Sequence, residues 1–172
     1  MKTSTVILQI LLFSLLLMQT GCETAPSNSE ITSESRDELN KLSLYISYSQ
    51  VKIDIMPLTE IIKTGEAQQA QINIYVSLLD AFNSQIKAPG TFRFELYDYV
   101  QLSAEPKGKR IVLWPDIDLT DPVINNEYWR DFLRAYEFNL PFTGGPKQNY
   151  ILEATCLCPS GKRLSDEIIF KQ

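Results

Sequence analysis

Ile72-Asn73-Ile74-Tyr75-Val76-Ser77-Leu78 is the stretch that decides the fold. On an extended chain Ile72, Ile74, Val76 and Leu78 share one face, while Asn73, Tyr75 and Ser77 share the other. That is the period of a half-buried strand, and the β-branched content suits it. The same period returns on both sides. Upstream, Val51, Ile53 and Ile55 alternate with Lys52 and Asp54 until Pro57 ends the run. Downstream, Phe92, Phe94 and Leu96 alternate with Arg93, Glu95 and Tyr97, and Ile111 and Leu113 with Arg110 and Val112. Phe138, Leu140 and Phe142 form the next set, then Leu152, Ala154 and Cys156, and finally Ile168 and Phe170. Pro89-Gly90, Pro106-Lys107-Gly108 and Pro159-Ser160-Gly161 supply turn chemistry between the runs, and Gly144-Gly145-Pro146 supplies a loop.

One stretch departs from the period of two. Trp129, Phe132, Leu133 and Tyr136 fall at i, i+3, i+4 and i+7, which predicts a short helix over residues 125–135 with Asn125 or Asn126 as N-cap. About seven alternating strands with frequent turns predict an all-β antiparallel sandwich carrying one short helical insertion. A βαβ fold would need helices between the strands. Tyr150 follows the Gly/Pro loop and precedes the inward Leu152 by two residues. That spacing resembles the tyrosine corner of immunoglobulin-like sandwiches, so the expected class is an Ig-like β-sandwich. The resemblance is one of architecture, because the Cys…Trp…Cys signature is absent. A plain strand tyrosine with a wet hydroxyl reads equally well.

The N-terminus is a different kind of sequence. Lys2 is the one charge before residue 22, and Val6 to Met18 is a 13-residue run, apolar except for Gln9 and Ser14. It has the form of a secretory leader and is shorter than the roughly 20 apolar residues a membrane-spanning helix needs. The run ends in Gln19-Thr20-Gly21-Cys22. This resembles the lipobox of bacterial lipoproteins, although that family usually carries leucine or another aliphatic residue where Gln19 stands. The resemblance implies cleavage before Cys22, acylation of its thiol, and lipid anchoring to a bacterial membrane in the cell envelope. The expected organisation is a signal peptide over residues 1–21, a lipidated N-terminus and tether over 22–38, and a sandwich domain over 39–172. Glu23 to Glu38 holds one aliphatic residue larger than alanine, too little apolar surface to offset ordering entropy. Within it Ser35-Arg36-Asp37-Glu38 has capping-box spacing, whereas Leu42, Leu44 and Ile46 beyond it alternate like a strand. Both readings stand for that segment.

Composition removes several chemistries. The chain has no histidine, and therefore lacks the commonest general base and metal ligand. It has no G-x-S-x-G elbow, P-loop or dinucleotide fingerprint. Removing residues 1–21, which include Lys2, takes the formal net charge from −5 to −6. An acidic chain without a basic cluster in sequence is poorly suited to nucleic acid, and an anionic bilayer should repel it.

Three constellations remain as candidates. Asp116, Asp118 and Asp121 crowd one loop as calcium ligands do, but without an EF-hand's central glycine and terminal glutamate. A polar loop in which Asp121 caps the turn at Pro122 is the simpler reading, and no metal or other cofactor is expected. Trp114 and Trp129, with Tyr97, Tyr99 and Tyr128, could stack on a glycan or a protein, although Trp129 on the helix stripe reads as core. Cys156 and Cys158 share the face of Leu152 and Ala154, so Cys156 at least should be a buried, reduced thiol. The expected function is a membrane-anchored, non-catalytic module that binds or scaffolds another envelope protein or a glycan. The alternative is a small domain that binds or hydrolyses cell-wall glycan with paired carboxylates.

Overall fold

The alternating run from Ile72 to Leu78 is the centre of the longest strand, where Ile72, Ile74, Val76 and Leu78 are fully buried. The computed structural model describes residues 33–63, 69–144 and 149–171. Its elements are helix α1 (Ser33–Ser47), then β1 (Lys52–Ile55), β2 (Glu60–Lys63), β3 (Gln69–Leu79), β4 (Gln85–Ile86) and β5 (Thr91–Tyr99). There follow β6 (Lys107–Leu113), β7 (Ile117–Asp118), α2 (Pro122–Tyr128), β8 (Trp129–Arg130), β9 (Ala135–Thr143), β10 (Tyr150–Leu157) and β11 (Arg163–Phe170). Asn40 to Gln172 form one compact unit.

Every strand pairing is antiparallel. One sheet runs β1-β3-β9-β8, with β2 and β4 also paired to β3. The other runs β11-β10-β5-β6, with β7 paired to β5. Lettered A, B, C, C′, D, E, F and G along the chain, β1, β3, β5, β6, β8, β9, β10 and β11 give A-B-E-D facing G-F-C-C′, the strand order of an Ig-like sandwich. Between the sheets lies a cluster of rings. Phe138 of β9 sits 4.7 Å from Phe94 and 5.2 Å from Phe92, centroid to centroid, and Tyr136 sits 5.3 Å from Phe92.

Two features of β10 show how closely the sheets' ends are filled. A Cβ added at Gly90 would sit 2.6 Å from the Cys156 sulfur and 3.3 Å from the Leu157 carbonyl oxygen, so only glycine fits before β5. The β10–β11 hairpin closes as its turn residues require. Gly161 adopts φ +81°, its N–H donates to Cys158 O at 2.9 Å, and Cys158 N–H donates to Lys162 O at 2.8 Å.

The sandwich's open side is tied by one carboxylate. Ile55 lies on the edge strand β1, and its N–H donates to Asp166 Oδ2 on β11 at 2.7 Å. The edge of one sheet is thereby bonded to the edge strand of the other.

The structure corrects the sequence reading in four places. The helix expected over 125–135 is instead Pro122–Tyr128, capped by Asp121, whose Oδ1 accepts from Val123 N at 2.8 Å and Ile124 N at 3.1 Å. Trp129 then begins a hairpin and pairs across it with Tyr136, and Arg134 takes a left-handed φ of +52° that no helix interior accepts. In β6 the register passes from Leu96↔Val112 to Tyr97↔Arg110, leaving Ile111 as a bulge. Val112 therefore turns inward and Leu113 outward. The segment left open around Ser35 is α1, and its first turns take residues 33–38, which the sequence reading gave to the tether. Four short strands, β2, β4, β7 and β8, carry too few residues to show a period.

Candidate functional site

Cys22 lies outside the described residues, as do residues 145–148, upstream of Tyr150, where a tyrosine corner would find its partner. Tyr150 itself is buried at the start of β10, edge-on to Phe142 at 5.6 Å.

The three aspartates do not converge. Asp116 is gripped by Arg93, with Nε to Oδ1 at 2.9 Å and an Nη to Oδ2 at 2.8 Å, and this pairing holds its carboxyl below the usual range. Asp118 Oδ1 accepts from Thr120 N at 3.0 Å, and this bond lowers its pKa as well. Asp121 caps α2. Each carboxylate is thus engaged by the protein's own donors. Among the described residues no three acidic or cysteine side chains come together as a metal site would need.

The aromatic candidates divide between places. Trp114 is buried and donates Nε1–H to Pro141 O at 2.7 Å. Trp129 is half-buried, edge-on to Tyr136 at 5.1 Å, and donates to Asp131 Oδ1 at 2.7 Å. Tyr128 packs on Phe138 at 5.2 Å. Tyr97 and Tyr99 belong to a different surface, the outer face of the β11-β10-β5-β6 sheet. There Tyr97 donates to Glu95 Oε2 at 2.7 Å, and Arg110 donates to the same oxygen at 2.8 Å. Burial alone would raise the Glu95 pKa, but these two donors bring it below the usual value. Lys107 bridges Glu153 at 2.9 Å and Glu167 at 3.0 Å. This face is a ladder of mutually neutralised charges.

Cys156 and Cys158 are both free thiols and both buried. Burial, reinforced by the adjacent Cys158, pushes the Cys156 thiol up to about 12. A thiol at that value carries almost no thiolate near neutral pH, and the thiolate is the nucleophile. Alkylation of the native protein at pH 7.5 should therefore be slow at Cys156 and accelerate on addition of denaturant. Rapid native labelling of both thiols, followed by mass spectrometry, would show the core face to be open.

The surface that the sequence did not expose as a site lies where the chain enters the sandwich. The connection from β3 to β5 is shaped by Asp80, whose buried carboxylate accepts from Phe82 N at 2.9 Å and Ser84 N at 2.8 Å. Asn83 completes the turn at φ +64°. The Asp80 turn projects Phe82 outward, 66% exposed, to meet Tyr48 at 5.9 Å. Further along, the Ala88–Pro89 segment is fixed from beneath. Ala88 N–H donates to the Tyr136 hydroxyl at 2.9 Å, and Asn125 Nδ2 donates to Ala88 O at 3.2 Å and Leu119 O at 2.9 Å. Gln50 Nε2 donates to Pro89 O at 2.9 Å. Between this braced segment and the end of α1 is a recess of about 560 Å³, lined by Lys41, Leu44, Tyr48, Gln50, Lys87 and Pro89 among others. Its lining is chiefly apolar, with two ammonium groups. It can take an apolar body carrying negative charge.

No protein-family model matches the chain, and comparison with curated proteins finds no match. Among solved structures, the chain is similar to a hypothetical protein from Pyrococcus horikoshii OT3, at 11% identity and a TM-score of 0.40. That alignment covers 72% of this chain and 89% of the other. A likeness so distant carries no functional argument.

Proposed function

We propose that this chain is a bacterial envelope lipoprotein, anchored through Cys22, whose sandwich is a non-catalytic module for binding or scaffolding another envelope protein or a glycan. The observation that carries the reading is the order of the sequence. A 13-residue apolar run ends at Thr20-Gly21-Cys22, and residues 23–32 then connect the cysteine to α1. The side chains available for chemistry also fit a binding role. The chain has no histidine, the Cys156 thiol is buried with a raised pKa, and the loop aspartates serve Arg93, Thr120 and the α2 cap.

The test is expression of the full chain with radiolabelled palmitate, followed by membrane fractionation. The wild-type protein should take up label and sediment with membranes. Cys22→Ser should lose the label to background and either remain uncleaved or be released. Label uptake unchanged by Cys22→Ser would remove the basis for the proposal.

A further inference from the structure

Alpha helix α1 is short of partners for the apolar residues it carries. Leu44 is 59% exposed, Tyr45 78% and Tyr48 64%, and the patch continues onto Phe82. Contiguous exposed apolar surface on a folded domain marks an interaction site. Two cations, Lys41 and Lys87, border the recess beside it. Lys87 bonds the neutral Asn126 side chain at 2.5 Å, so that contact leaves its charge uncompensated. Of the nearby acids, Asp80 is buried in its turn and Asp54 pairs with Lys52 at 3.2 Å. Asp37 and Glu38 precede Lys41 on α1, so the basic character belongs to the recess rather than to the whole helix. The chain's net negative charge therefore does not describe this surface.

We infer that this end of the sandwich docks on the surface of an anionic bilayer, an inference that rests on anchoring at Cys22. Tyr45, Tyr48 and Phe82 enter the interfacial layer, where amphipathic rings are favoured, and Lys41 and Lys87 meet lipid phosphates. The length of chain outside the described residues argues for this occupant over others. Residues 23–32 separate the acylated cysteine from the start of α1. Fully extended, they span roughly 35 Å, so α1 cannot leave the neighbourhood of the bilayer. A tether of that length keeps the local concentration of lipid headgroups high and makes even weak docking productive.

The experiment uses residues 23–172, which contain every described element and no lipid. Hydrogen exchange is followed in buffer, on phosphatidylcholine vesicles, and on vesicles of phosphatidylethanolamine with phosphatidylglycerol, at millimolar lipid. Exchange over residues 40–48 and 80–89 should slow at least threefold on the anionic vesicles, and less on phosphatidylcholine. Tyr45→Glu combined with Phe82→Glu should abolish the slowing without lowering the melting temperature, because both side chains are exposed. Lys87→Gln should weaken it selectively on anionic lipid. No slowing on vesicles would overturn the inference. Slowing in buffer that grows with protein concentration would also overturn it and assign the patch to a second copy of the chain. Since Cys22 is absent from this protein, failure here leaves the palmitate result standing, and failure of palmitate labelling leaves any vesicle docking standing.

Discussion

Phe138→Ala should lower the unfolding free energy by about 3–5 kcal/mol, the usual cost of emptying a fully buried aromatic site. Phe138 is completely inaccessible to solvent and lies among four rings, those of Phe92, Phe94, Tyr128 and Tyr136, at centroid distances of 5.2, 4.7, 5.2 and 6.4 Å. These rings come from β5, α2 and β9, so the site cannot collapse by the shift of one element. A loss of that size is a large share of the roughly 5–15 kcal/mol that holds an ordinary domain together. It should lower the melting temperature by roughly 10–20 °C. Urea unfolding is the check. The midpoint should fall while the dependence on denaturant stays constant, because the surface exposed on unfolding barely changes. A loss below about 1 kcal/mol would mean that the rings do not form one packed layer.

The second large effect should come from the polar brace beneath Ala88 and Pro89. Asn125 is buried and donates to two carbonyls, while its own Oδ1 lies 3.1 Å from the Tyr136 hydroxyl. Asn125→Ala strands Leu119 O without that donor, and Tyr136→Phe strands the Ala88 N–H. Each should cost about 1–3 kcal/mol, the penalty of an unsatisfied buried group. Because the two side chains share one network, the double variant should depart from additivity by at least about 0.5 kcal/mol. Additive losses would mean that the groups act separately. The phenol carries a pH signature as well. Burial raises the Tyr136 pKa above 10.0, as burial raises that of Cys156 above 9.0. Both contributions to stability are complete below those unfolded values and are lost as the pH rises through the folded ones. Alkaline unfolding should therefore move to higher pH in Tyr136→Phe once its lower starting stability is allowed for.

The fold was legible because its long strands bury one face each. Ile72 to Leu78, Phe92 to Leu96 and Leu152 to Cys156 state their register in the order of their residues, and the structure keeps it. The failures have local causes. Trp129, Phe132, Leu133 and Tyr136 match a helical stripe, yet they span a hairpin whose bend rests on a left-handed Arg134, a conformation that composition does not announce. Ile111 displaces every residue after it by one position, so a correct period in β6 pointed Leu113 the wrong way. Trp114 gains its place from Pro141, 27 positions away in sequence. The docking surface was the least legible feature. Leu42, Leu44 and Ile46 read as a strand face or a helix stripe in isolation, and neither pattern says that the folded domain leaves such residues uncovered. Lys41 and Lys87 lie far apart along the chain and border one recess only through the fold.

The bond from Ile55 N–H to Asp166 bears on what the border of the β1 sheet offers to another extended chain. In the β1–β3 ladder, Met56 N–H donates inward to Tyr75 O, and the amide of Ile55, one residue away, points outward. Such an outward amide on a border strand invites an extended segment of another molecule, the first step toward fibrils. Here the invitation is already answered from within the molecule by a charged oxygen that no incoming backbone can displace without leaving a carboxylate unpaired. Two other borders, β6 and β8, are blunted differently. The Ile111 bulge breaks β6, and β8 has two residues. Asp166 thus closes, from within the molecule, a hydrogen-bonding position on the β1 border that would otherwise face outward.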